Sequence, residues 1–280
     1  MNKKKRMIVA NLATFPKRKK VLKKTIDSIL PQVDVLNIYL NNYKYIPSIL
    51  QNHKINCVLG DEADGDLKDN GKFYFLNKCP NDAYYFTIDD DITYPKNYID
   101  RLISEIDRYD DKIAVGVHGV IFFEDFKNFR DSRTNIHFED ELNKNIKVSV
   151  LGTGTVAFYK NNFKKLFKED FCDVGMADLY FSIFCKNNNI QQICVTREKE
   201  WLKNSVKNRF YSISLWQDSV FDTSKQDILI EQNRLWQLKD AELNKYRTVL
   251  ENQLKQHNKS KYIKIYKILT SISINIRNIF

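Results

Sequence analysis

Three consecutive aspartates, Asp89-Asp90-Asp91, close the apolar run Tyr84-Tyr85-Phe86-Thr87-Ile88. Side chains of an extended chain alternate with period two, so Asp89 and Asp91 are expected on one side and Asp90 on the other. Two carboxylates on one side can converge on one cation. Magnesium and manganese prefer hard oxygen ligands, and such an ion is typically held by one or two carboxylates together with substrate phosphates. Asp89 and Asp91 are therefore the candidate ligands of Mn²⁺ or Mg²⁺, with Asp91 preferred. An ion there would neutralise a departing diphosphate. A solvated acidic turn or a helix-capping cluster is the competing explanation, since aspartate also favours helix starts.

Further residues could serve the same chemistry. Gly71 and Lys72 end an acidic, glycine-containing stretch, Gly60 to Phe73, and precede an expected helix near Phe73 to Leu76, where a lysine and backbone N–H groups can meet a phosphate. Asp178 opens an apolar helix, which could aim its carboxylate at a cleft or simply cap the helix. Arg197, Lys199 and Trp201 offer a cation for phosphate and a flat face for a sugar or base. Gly152-Thr153-Gly154-Thr155 can let a ligand approach the backbone, or make a tight turn. His118 and His137 lack metal-ligand spacing and read as structural histidines. No Walker loop, GxSxG elbow or dinucleotide fingerprint is present, which removes support for ATPase, serine hydrolase and dehydrogenase chemistry.

The elements that must position these residues alternate in type. Met7 to Ala10 reads as a strand, and Val21, Leu22, Thr25, Ile26 and Ile29 as a helix stripe. Val35 to Leu40, Ile55 to Leu59 and Tyr84 to Ile88 follow as strands, with a short helix from Pro47 between the first two. Pro95 begins a helix that buries Tyr98, Ile99, Leu102, Ile103, Ile106 and Tyr109. Later elements are strands at Ile113 to Val117, Thr155 to Tyr159 and Ile193 to Val195, and a helix from Ala177 to Lys186. Such alternation implies an α/β fold with a parallel sheet. The Asp triplet then lies beyond the carboxyl end of a strand, where open sheets bind ligands.

One catalytic domain over residues 1–223 with a helical extension over residues 224–280 is the simplest organisation. Within the extension, Lys261, Lys264, Lys267 and Arg277 interleave with Ile265, Leu269, Ile272, Ile276 and Phe280. That pattern suits a basic amphipathic helix on an anionic membrane, on a partner protein or on the parent domain. Net charge is +10, which favours polyanionic partners such as nucleotide phosphates and acidic glycans. Five cysteines without a CxxC pair indicate neither a zinc ribbon nor a disulfide framework and fit a reducing cytosol. No run reaches the roughly 20 apolar residues that span a bilayer, so a cytoplasmic protein, soluble or peripheral on the inner membrane face, is expected.

Met7-Ile8-Val9-Ala10-Asn11 with Pro16 and Arg18-Lys19-Lys20, Gln32-Val33-Asp34, Leu40-Asn41, Ile46-Pro47, Gly71-Lys72-Phe73, Asp89-Asp90-Asp91-Ile92 with Tyr94-Pro95, His118-Gly119, Leu151 to Val156, Asp178 with Phe181-Ser182, and Arg197-Glu198-Lys199 with Trp201-Leu202 occur in order. Together they resemble the bacterial α-N-acetylglucosaminyltransferase family of heparosan capsule synthesis. The resemblance implies a GT-A type, Rossmann-like nucleotide-binding fold, a UDP-sugar donor, Mn²⁺ or Mg²⁺, and α-linked transfer with retention to an acidic chain ending in glucuronate. It also implies a partner glycosyltransferase of the capsule machinery, and no nucleic acid. On that basis Asp89 and Asp91 organise metal-bound UDP, Asp90 contacts the donor ribose or sugar, and Lys72, Arg197 and Trp201 contact the donor. Asp178 stabilises the sugar cation or positions the acceptor; in an inverting reaction it would be the general base. Phe122 to Lys147 and the chain after about residue 205 depart from the pattern.

Overall fold

The computed structural model describes residues 5–123, 126–206 and 223–233. In chain order the main elements are β1 (Met7–Thr14), α1 (Lys19–Ile29), β2 (Val35–Leu40), β3 (Ile55–Leu59), β4 (Ala83–Ile88), β5 (Ile92–Thr93), α2 (Tyr98–Arg108), β6 (Ile113–Gly116) and β7 (Gly119–Phe122). There follow β8 (Arg133–Ile136), β9 (Ile146–Lys147), β10 (Val150–Leu151), β11 (Ala157–Tyr159), α3 (Ala177–Asn187), β12 (Gln191–Cys194) and β13 (Lys203–Asn204). Every residue of β4 is buried, as expected of a strand covered on both faces. The helices bury single stripes: Leu22, Thr25, Ile26 and Ile29 on α1, and Tyr98, Ile99, Leu102 and Ile106 on α2.

Eight strands form one sheet in the order β3-β2-β1-β4-β11-β6-β12-β9. β3, β2, β1 and β4 run parallel, and the chain winds outward from β1 to β3 before returning to lay β4 on the other side of β1. That reversal opens a crevice at the carboxyl ends of β1 and β4, the place where doubly wound sheets take ligands. α1 and α2 cover one face with Ala10, Leu12, Ile38, Phe86 and Ile88. On the other face an aromatic group, Phe73, Tyr85, Phe158, Phe163 and Phe181, joins the sheet to α3. A small sheet, β10-β7-β8, packs Val120, Phe122 and Val150 on Met176 and Leu179.

One departure from the sequence reading has a local cause. Instead of a helix near Phe73 to Leu76, the chain forms a 3-10 segment at Lys68–Phe73, entered through Lys68 at φ 47°. Gly71 presses its Cα against the Tyr39 ring, leaving no room for a Cβ. The stretch from Phe122 to Lys147, which had no element assigned, carries β8 and β9. The appended helix is seen over Ser224–Gln232, with Ile230 buried against the small sheet and α3. The basic pattern of Lys261 to Phe280 lies outside the described residues. No helix among the described residues is long and apolar enough to cross a membrane.

A polar ladder pins the register of the first three strands. Asn37 pairs with Asn11 and with Asn56 across the sheet. Its Nδ2 donates to Asn11 Oδ1 at 2.9 Å, Asn56 Nδ2 donates to Asn37 Oδ1 at 3.1 Å, and Asn11 Nδ2 donates to the Phe86 carbonyl at 3.1 Å. Replacing Asn37 with alanine strips the buried Asn11 oxygen of its donor, which costs about 1–3 kcal/mol. Denaturant unfolding of Asn37→Ala should therefore show a lower midpoint at unchanged slope; an unchanged midpoint contradicts the role given to the ladder.

Candidate active site

At the end of β4 the extended geometry stops at Ile88, and Asp90-Asp91 form a turn into β5. The period-two alternation expected of the triplet therefore does not hold, and each carboxylate is placed by its own partner. Asp89 pairs with Lys72 Nζ. Asp90 Oδ2 accepts from Thr14 Oγ1, the last side chain of β1, at 2.6 Å. Asp91 Oδ2 accepts from Arg18 Nη1 at 2.6 Å, and Arg18 Nε lies 3.9 Å from Asp90 Oδ1. The turn is braced from behind: the Thr25 hydroxyl reaches the carbonyls of Asp90 and Ile92 at 2.9 and 2.8 Å. Tyr94 accepts from the Asp89 N–H at 2.9 Å and donates to the Gly154 carbonyl at 2.6 Å. Gly154 lies directly against the Asp89 carboxylate, and a Cβ there would overlap it.

The loop from β3 folds over this edge. Asn41 accepts from the Leu67 N–H and donates to the Lys68 carbonyl, both at 3.0 Å, which brings Asp69 and Lys72 to the crevice. Asp69 caps the start of α3, accepting from the N–H groups of Gly175 at 2.8 Å and Ala177 at 3.1 Å. Asp178, one residue into that helix, accepts from the N–H and the hydroxyl of Thr153 at 2.8 and 2.6 Å. Both bonds fall on Oδ1. Asp178 Oδ2 has no hydrogen-bond partner among the described residues.

These groups titrate abnormally for physical reasons. Burial and the neighbouring Asp91 charge push the Asp90 carboxyl up to about 7, against the pull of Arg18 and Thr14. Burial and the Asp89 charge likewise raise Asp91, opposed by Arg18. Asp178 is raised by burial, opposed by its Thr153 bonds and by Lys72. Lys72, 5% exposed, would be depressed by burial, yet Asp89 and Asp69 outweigh it and the ammonium is raised.

Among the described residues no three histidine, cysteine or acidic side chains converge into a complete metal cage. The donor set nevertheless fits a magnesium-like ion, which keeps water and substrate phosphate in most positions and asks the protein for one or two carboxylates. Burial and the Asp89 charge both raise Asp91, a condition that a cation bound beside it would relieve.

The other expected site residues lie elsewhere. Arg197 is 3% exposed and donates to the main-chain carbonyls of Val195 at 3.1 Å and His137 at 2.6 Å, because its bridge to Leu142 turns it into the core. Trp201 packs on α2, with its indole N–H on Asn97 at 3.2 Å and its ring against Tyr98 and Arg101. His118 and His137 meet edge to face at 5.5 Å, and burial keeps His118 neutral, its pKa lowered to about 3. Residues to which the sequence reading gave no role in the site are Thr14, Arg18, Asp69 and, as the holder of Asp178, Thr153. Arg18 had a signal: it follows Pro16 at the start of the first helix after the first strand, on the ligand-binding edge of an α/β sheet.

Residues 13–167 match the family model described as glycosyl transferase family 2. No curated protein matches the chain. Among solved structures it is similar to the crystal structure of S. aureus TarS 1-349 in complex with UDP-GlcNAc, at a TM-score of 0.51 and 11% identity, covering 89% of this chain and 81% of that one. Against the crystal structure of S. aureus TarS 1-349 without that ligand in its description the TM-score is 0.45 at 9% identity, over 69% of this chain and 59% of that one. The first likeness shows the fold, which is of the GT-A type.

An unfolded aspartate titrates near 4. Between about pH 4 and 7 the folded chain thus keeps a proton on Asp90 that the unfolded chain has released, so this contribution is complete at low pH and is lost as pH rises through 7. With divalent cations chelated, the melting temperature of Asp90→Asn should gain on that of the wild type from pH 5 to pH 8. A constant difference over that range contradicts the assignment.

Proposed function

This chain belongs to glycosyl transferase family 2, whose model matches residues 13–167 of its 280, and on that premise we propose that it moves a sugar from a UDP-sugar to a carbohydrate acceptor in the crevice between β1 and β4. The observation that carries the reading is the convergence of Asp89 and Asp91 with two buried cations, Lys72 and Arg18, at the carboxyl end of β4. Mn²⁺ or Mg²⁺ held by Asp89 and Asp91 would supply Lewis-acid stabilisation of the diphosphate. Lys72 and Arg18 offer charged donors to the same diphosphate oxygens. Asp90, bonded to Thr14 at the crevice floor, acts as a positioning residue for Arg18 and the turn rather than as a sugar contact.

In the transfer, an acceptor hydroxyl oxygen bonds to the anomeric carbon while the bond from that carbon to the β-phosphate oxygen breaks, and UDP departs with the electron pair. The sequence resemblance supports retention and an α-linked product, with the leaving phosphate taking the hydroxyl proton. A second reading, inversion, is favoured by one observation: Asp178 presents an unpartnered Oδ2 and a raised pKa, which suit a general base.

The resemblance also supports N-acetylglucosamine as the sugar, the sugar nucleotide named for the TarS complex being UDP-GlcNAc. The +10 charge supports an acidic acceptor, which we take to be a capsule-type polysaccharide ending in glucuronate, elongated with a partner glycosyltransferase at the inner face of the cytoplasmic membrane. Transfer from another UDP-sugar, or a non-catalytic place in a capsule synthase complex, are the outcomes that would displace this reading.

Incubating the protein with Mn²⁺, a panel of UDP-sugars and heparosan oligosaccharides of either terminus, with mass spectrometry of the products, reads donor and acceptor together. Anomeric proton couplings of the product then distinguish retention from inversion. Asp91→Ala and Asp178→Ala should each lower turnover about 10²-fold or more. Near-normal transfer by both variants would remove the assignment.

A further inference from the structure

β8 turns Arg133 and Asn135 to one face, by the period-two alternation of a strand. Across the ladder Arg133 faces Phe122 and Asn135 faces Val120. Phe122 and Val120 pack on Met176 and Leu179, the residues that bracket Asp178 at the start of α3. The polar row of β8 thus shares a face of the small sheet with the side chains that pack on the helix start carrying Asp178.

Two polar groups in this row are unspent. The Arg133 guanidinium lies 3.7 Å over the Phe129 ring and has no hydrogen-bond or ion-pair partner among the described residues. Asn135 Oδ1 is buried without a partner, as is Nδ1 of the adjacent His118. Buried polar groups are normally satisfied, so a cluster of unsatisfied ones asks for a ligand. Burial and the neighbouring Arg130 lower the Arg133 pKa to about 10, while Asp178 pulls the other way, so Arg133 and Asp178 lie within electrostatic reach of one another. A guanidinium fixed face-on to an aromatic ring still presents its edge, and that planar fork matches a carboxylate or phosphate.

We propose that Arg133, with Asn135 beside it, forms an anion-receiving subsite for the acceptor, reading a carboxylate or phosphate on the sugar that offers its hydroxyl to Asp178. The inference rests on the reading of Asp178 as the acceptor-side carboxylate, and it names the residue that selects a charged acceptor over a neutral one.

The test uses the full chain with Mn²⁺ and three tetrasaccharides of one backbone, ending at the non-reducing end in glucuronate, glucose or glucose 6-phosphate. Acceptor affinity is measured by calorimetry, and UDP affinity is measured separately. The wild type should bind one or both charged termini at least about tenfold more tightly than the glucose terminus. The better charged terminus identifies carboxylate or phosphate as the group read. Arg133→Gln should reduce the selectivity to within about twofold, Arg133→Lys should recover part of it, and UDP affinity should stay unchanged in both. Charge-blind binding by the wild type, retained selectivity in Arg133→Gln, or a parallel loss of UDP affinity in that variant each overturns the subsite. Failure of the wild type to bind UDP would instead count against the transferase reading, since acceptor selectivity is read without the donor.

Discussion

Lys72 lies almost wholly out of water in contact with Asp89, and Asp69 and Asp178 come from two other segments to within reach of the same ammonium. Burying a lone ammonium costs several kcal/mol, and burying lone carboxylates costs as much, so neither set is tolerable without the other. The consequence is geometric. Asp89 follows the fourth strand, Asp69 sits in the loop from the third, and Asp178 lies in the first turn of α3, so the balance of charge ties three segments distant in sequence into one wall of the crevice. Arg18 repeats the arrangement for Asp90 and Asp91 on the other side. Five carboxylates still face two cations, and burial, with a smaller push from neighbouring carboxylates, raises Asp90, Asp91 and Asp178.

The scaffold keeps these charges from relaxing into water. Thr14 at the end of β1 holds Asp90, and Tyr94 ties the Asp89 amide to the Gly154 carbonyl. Thr153, next to that glycine, fixes Asp178 through one oxygen and leaves the other open. Asp89 and Asp178 are thus connected through two adjacent residues of one tight turn. Glycine is required at 154 by the close approach of Asp89, whereas a side chain there would push the carboxylate off the lysine.

Much of the parallel half of the fold was legible in the chain. The runs around Val35 to Leu40 and Tyr84 to Ile88 are strands because they are buried on both faces, and α1 and α2 follow their apolar stripes. The place of the triplet just after a buried strand was legible too. Its internal division was not, because turn residues obey their local partners and not the strand period, and the partners Thr14, Arg18 and Lys72 are remote in sequence. Arg18 stands in the basic run Lys17 to Lys20, which looks like any solvated charge cluster; only tertiary structure sets its 9% exposure apart from its neighbours. Arg197 illustrates the converse. A cation after the last strand suggested a phosphate contact, but a single bridge to Leu142 sends its guanidinium inward to two main-chain carbonyls. The short antiparallel strands β7, β8 and β10 carried too few residues to show a period.

We propose that the Asp89, Asp91, Lys72 and Arg18 cluster is a cation-assisted diphosphate site. Titration of UDP into the protein by calorimetry, with Mn²⁺ and again in chelator, addresses it without depending on the acceptor. The account predicts saturable binding with the ion, weakened about tenfold or more when the ion is removed and, with the ion present, in Lys72→Met. UDP binding indifferent both to the ion and to Lys72→Met would contradict it.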